Sequence, residues 1–137
     1  MSSAAYDVAT ILQTATLGTI GTDLFIGKDP GEKTQTVTLY DTGGPSPNPK
    51  WARDEKNIQI RIAGAVNDYA GAWTKAESIK NYLLGLAPQT VGTKIYILFT
   101  MLSDITHIGY DQNSRPLLTI NLRVIIDLPN TGNRLTI

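Results

Sequence analysis

Three features of the sequence predict an α+β fold, an antiparallel or mixed β-sheet with two amphipathic helices packed on one of its faces. Two segments repeat apolar residues at helical spacing. Lys56 to Gly64 alternates apolar and polar residues at the period of a strand. The elements follow one another as helix, strands, helix, strands, an order suited to helices segregated on one side of a sheet.

Ser3 suits a helix N-cap, and Ala4, Val8, Ile11, Leu12 and Ala15 form the apolar stripe behind it, with Gly18 as a left-handed stop. Gln13, Thr14 and Thr16 occupy the other side, so the helix lies on a sheet with its outer face in solvent or at a contact. Asp23 to Gly27 is a short apolar run. Pro30 and Gly31 predict a turn that joins it, as a hairpin, to Thr34–Asp41, where Val37 and Leu39 alternate with Thr36, Thr38 and Tyr40. Gly43, Gly44, Pro45, Pro47 and Pro49 exclude a regular element from 42–55, because proline fixes φ and removes a ladder donor; a long loop is predicted there.

The strand at Lys56–Gly64 turns Ile58, Ile60 and Ile62 inward and Asn57, Gln59 and Arg61 outward. Asn67 or Asp68 caps the second helix, which carries Tyr69, Ala72, Trp73, Ala76, Ile79 and Leu83 on its apolar face and ends at Gly85 and Pro88. Trp73 is expected in the core. Lys94–Thr100, Asp104–Tyr110 and Leu117–Asp127 read as strands, the last two flanking a turn at Asp111–Pro116. Leu118, Ile120, Leu122, Val124 and Ile126 fill one face of the last strand, opposite Thr119, Asn121, Arg123 and Ile125. Residues 128–137, with Pro129 and Gly132, read as a mobile tail. Residues 1–137 are expected to form one domain, since this length supports a single core.

Charge bounds the function. Twelve basic and twelve acidic residues leave no net charge, which argues against general nucleic-acid affinity and removes the self-repulsion that keeps copies apart. Charged residues make up 18%, below the usual quarter, so much of the surface is uncharged and suited to association. The chain has no cysteine, which excludes disulfides, thiolate metal sites and cysteine nucleophiles. The first residues carry neither a basic region nor a long apolar run, so synthesis and use in the cytosol are expected.

His107 is the only histidine, and Ser103, Asp104 and Thr106 beside it would diverge along a strand; it reads as structural or surface, not catalytic. Gly43 and Gly44 follow a strand but no helix begins after them, so no phosphate loop is formed. Asp41, Asp54 and Glu55 read as solvated loop charges, and neither cofactor nor metal is predicted. The candidate protein contacts are Pro45, Pro47, Pro49, Trp51 and Arg53 in the loop, and Arg61 and Arg123 on the polar side of two strands. The two arginines read either as a pair of solvated charges or as groups that meet acidic residues of a neighbouring subunit.

Four segments in order, DLFIGKDPGEKTQTVTLYDTGG, NIQIRIAG, YAGAWTKAESIKNYLLG and HIGYDQNSRPLLTINLRVII, resemble the phage tail terminator proteins, including chains described as minor capsid proteins. YDTGG at Tyr40–Gly44 and the DQNSRP turn are the most specific parts. The resemblance implies a virion protein assembled in the host cytoplasm. It would form a ring, usually of six copies, that caps the head-proximal end of the tail tube, stops its polymerisation and docks to the head connector. Implied partners are the chain itself, the tail tube protein, connector and neck proteins and the tail sheath, with DNA passing through unbound and no membrane involved. Two alternatives stand beside it: a head-closure or stopper ring of the neck, and a small ligand-binding or enzymatic domain using a cleft near His107.

Overall fold

A computed structural model describes residues 2–129 and 132–134. The elements are α1 (Ala4–Thr14), β1 (Leu24–Ile26), β2 (Thr36–Gly43), β3 (Arg53–Ala63), α2 (Tyr69–Leu83), β4 (Gln89–Val91), β5 (Lys94–Met101), β6 (Thr106–Tyr110) and β7 (Pro116–Asp127). The seven strands form one mixed sheet in the order β1-β2-β3-β7-β5-β4, and β6 also pairs with β7. The fold class is the α+β arrangement that the periodicities predict.

β7 is the spine. Along one edge it pairs antiparallel with the whole of β3, from Arg53↔Asp127 to Ala63↔Leu117. Along the other edge, β5 pairs with one half and β6 with the other. The alternation seen in the sequence is the alternation of burial: Ile58, Ile60 and Ile62 join Leu118, Ile120, Leu122, Val124 and Ile126 in one core cluster with Val8 and Leu12 of α1 and Ala72, Ala76, Ile79 and Leu83 of α2. Both helices therefore pack on one face of the sheet, and among the described residues no helix lies on the opposite face.

α2 lies close to the sheet because Gly64 lets it. A Cβ there would come within 2.7 Å of the Ala72 Cβ and 2.9 Å of the Asp68 carbonyl oxygen. Gly64→Ala should therefore push the helix outward and lower stability by about 1–3 kcal/mol, read from urea unfolding.

Several expectations change. β1 and β2 are not a hairpin but a parallel pair, with the Val37 amide donating to the Asp23 carbonyl and the Gly27 amide to that of Leu39. Pro30 and Gly31 do not fold the chain directly into β2; residues 27–35 carry it back to the start of β1. Such a short return is feasible because β1 is only three residues, roughly 10 Å, long. Gly18 does not stop α1: the helix ends at Thr14, and Thr16 takes the left-handed φ of 62°.

Trp73 is not core and is 38% exposed. The buried stripe of α2 is Ala72, Ala76, Ile79 and Leu83, and Trp73 stands about 100° around the helix from Ala72. The loop shrinks to 44–52, because β3 begins at Arg53, held there by β7. β4 is a strand that the sequence reading did not include.

Of the expected tail, residues 130–131 and 135–137 lie outside the described residues. The Leu128 amide donates to the Ala52 carbonyl, and Arg134 pairs with Asp54 at 2.6 Å.

Candidate contact surfaces

The helix-free face is built by register. β2 places Thr38 opposite Arg61 and Tyr40 opposite Gln59, while β3 and β7 place Asn57 opposite Arg123, Gln59 opposite Asn121 and Arg61 opposite Thr119. All these side chains are on the side away from Ile58, Ile60 and Ile62, so the centre of the face is polar. Arg61 and Arg123 do share it. Arg123 pairs with Glu55 at 3.2 Å, whereas Arg61 lies over the Tyr40 ring at 5.4 Å and reaches the Gln59 amide oxygen at 3.4 Å.

At one end of this face the 44–52 loop encloses, with Ile125, a depression of about 330 Å³ whose lining includes Pro45, Pro47, Trp51 and Arg53. Pro49 is exposed in the same loop but does not line it. Arg53 belongs to β3, where its Nε donates to Asp127 at 2.7 Å and its guanidinium stacks on Trp51 at 4.5 Å. Trp51 is thus a half-buried aromatic whose position is fixed from β3.

The three carboxylates expected to be solvated loop charges have partners instead. Asp41 accepts from the Ala5 amide at 2.9 Å and so ties YDTGG to the start of α1. Asp54 is buried on its pair with Arg134, and Glu55 holds Arg123. At Gly44 a Cβ would meet the Glu55 carbonyl oxygen at 2.4 Å, so the second glycine of YDTGG allows the loop to leave the sheet closely.

The DQNSRP turn is a staple. Asp111 accepts from the amides of Asn113 and Arg115, both at 2.9 Å, and from Arg115 Nε at 2.7 Å. Arg115 is 1% exposed and also donates to the Thr34 carbonyl at 3.1 Å, Thr36 Oγ1 at 3.0 Å and Asp29 at 3.0 Å. Asn113 Nδ2 adds a bond to the Gly31 carbonyl at 2.7 Å. The exposed residues 30–34 therefore form an arm fixed at its base.

A surface that the sequence reading missed lies at the start of α2. Tyr69 stacks with Trp73 at 6.4 Å, and the His107 ring packs edge-on against Tyr69 at 5.1 Å and Tyr110 at 5.5 Å. All four residues are exposed. The spacing of Tyr69 and Trp73, four apart, was the available signal, but it read as core. His107 makes aromatic contacts here, not a nucleophile–base pair.

The motifs that brace the loops are the ones that carry the family resemblance, and a family model described as bacteriophage tail terminator protein matches residues 11–128. The chain belongs to the bacteriophage tail terminator family. A comparison with curated proteins gives no match. The matched span begins inside α1 and ends one residue past β7, so it takes in α2 and all seven strands of this terminator chain. Membership makes it a structural component of a phage tail. Among the described residues no helix is long and apolar enough to cross a membrane.

Proposed function

We propose that the chain closes into a ring, six copies as the resemblance implies, that caps the head-proximal end of the tail tube, stops its growth and offers a docking surface to the head connector. The observation that supports this reading is that both helices cover one side of the sheet and leave the other side polar and uncovered. A ring needs two unlike surfaces on each copy, and the helix-free face and the aromatic outer face of α2 differ in this way. Two contacts of about 800 Å² each would cover roughly a fifth of the 7174 Å² surface, an area available without burying many ions. The 44–52 loop, with Pro45, Pro47, Pro49 and Trp51, is the contact arm toward the tube or sheath, and its prolines lower the entropy lost on docking.

Electron microscopy of cells infected by phage lacking this chain tests the reading, and overlong tubes are expected. Leaking heads beside tails of normal length would instead identify a head-closure ring. The loop has its own test. A cut through Asp54 would remove the start of β3 and a buried carboxylate, so replacement is confined to 45–50 with a two-residue turn. That variant should unfold at a temperature near that of the parent yet give few completed tails.

A further inference from the structure

Four buried side-chain polar atoms among the described residues have no hydrogen-bond partner: Thr38 Oγ1, Asn57 Oδ1, Arg61 Nε and Arg123 Nε. All four belong to residues of the helix-free face. A buried polar group without a partner is costly, so their concentration on one surface marks a place left unfinished in the single chain. Arg61 is the extreme case. Arg53 pairs with Asp127, Arg115 with Asp29 and Asp111, Arg123 with Glu55 and Arg134 with Asp54, but Arg61 has no carboxylate within ion-pair distance among the described residues.

The chain also carries a carboxylate to spare. Seven acidic side chains form ion pairs: Asp7, Asp29, Asp54, Glu55, Asp104, Asp111 and Asp127. Asp23, Asp41 and Asp68 accept backbone amides. Glu77 is half-buried on α2, where Lys80 stands one turn on. Glu32 is exposed, holds only a 3.3 Å bond from Thr34 Oγ1, and sits on the arm that Arg115 and Asn113 brace.

We propose that the helix-free face of one copy receives the 30–34 arm of a second copy, with Glu32 of the arm meeting Arg61. This rests on the ring reading and names its contact. A polypeptide suits the unmet groups better than a phosphate does, because guanidinium groups need acceptors while Asn57 Oδ1 needs a donor, and a backbone supplies both. The brace at Arg115 means that little order has to be gained on docking. The absence of net charge removes any long-range attraction for a polyanion, leaving local pairing to choose the partner.

The test combines charge exchange with cross-linking in phage particles whose only copy of this protein is the variant. Arg61→Glu and Glu32→Arg should each cut the yield of infectious particles about tenfold or more, and the two together should restore it. Thermal unfolding of the purified variants establishes that each is folded. Because the chain has no cysteine, Lys33→Cys combined with Gln59→Cys should give a ladder of linked chains with a short bis-maleimide, and each alone should give none. No recovery in the charge exchange, or particles of the double cysteine variant without a ladder, would overturn the contact. Those results beside overlong tubes in phage lacking the chain defeat this contact alone, whereas normal tube length in that phage defeats the tube-capping reading.

Discussion

Arg115→Ala should lower the unfolding free energy by about 3–5 kcal/mol in urea at neutral pH, one of the two largest effects expected of any single substitution here. The guanidinium is fully buried and its removal takes the cationic partner from Asp29 and Asp111 and a donor from the Thr34 carbonyl and Thr36 Oγ1. Arg115→Lys keeps the charge but cannot reproduce the fork, so it should recover only part of the loss. The effect depends on pH. Burial acts to raise the Asp111 carboxyl, but the Arg115 amide and guanidinium and the Asn113 amide outweigh it and hold the group below its ordinary 3.8. A depressed carboxyl contributes stability that is present above its unfolded value and is lost as pH falls through the folded one. The gap between parent and Arg115→Ala should therefore be full at neutral pH and narrow below about pH 4.

Asp7→Ala should cost a similar amount, about 3–5 kcal/mol, by leaving a buried ammonium without its partner. Asp7 is wholly buried on α1, ion-paired with Lys94, itself 5% exposed, and accepts the Tyr96 hydroxyl. Lys94 would keep only its bond to the Ser2 carbonyl at 2.6 Å and a marginal one to the Ser2 hydroxyl. Burial, with Asp7 next, pushes the Tyr96 phenol well above its ordinary value, so it stays a donor throughout the working range. Tyr96→Phe removes one bond to a charged group and should cost less, about 1.5–3 kcal/mol. Thermal unfolding of both variants against the parent checks the order. The larger loss is expected from the variant that strands a charge, since Asp7 links α1 to β5 through both Lys94 and Tyr96.

What the sequence made legible was whatever one-sided burial imposes. Ile58, Ile60 and Ile62 had to alternate with Asn57, Gln59 and Arg61 because only one side of β3 is covered, and the same rule put Arg61 and Arg123 on one face. What stayed hidden was long-range pairing. Arg115 finds Asp29 across 86 residues and Arg134 finds Asp54 across 80, distances over which no local pattern operates. Trp73 misled because a large apolar side chain at a stripe's rim has the same spacing whether a core or a partner covers it. The KDPG segment misled in another way: turn-forming residues do not fix how far the chain travels before it pairs, and here it returns to a parallel partner. The specific family motifs, YDTGG and DQNSRP, carried no catalytic meaning in the sequence, and in the fold they turn out to fasten loops.

The placement of β7 also bears on synthesis. β3 is complete at Ala63, yet the strand that covers its second edge ends at Asp127, about 64 residues and roughly 3–13 s of translation later. During that interval a nearly finished half-sheet waits on the ribosome with an open edge, the state most prone to pairing with another nascent chain. Glu55, Asn57, Gln59 and Arg61, polar on the outward side of β3, make that strand a poorer template for another nascent chain during the wait.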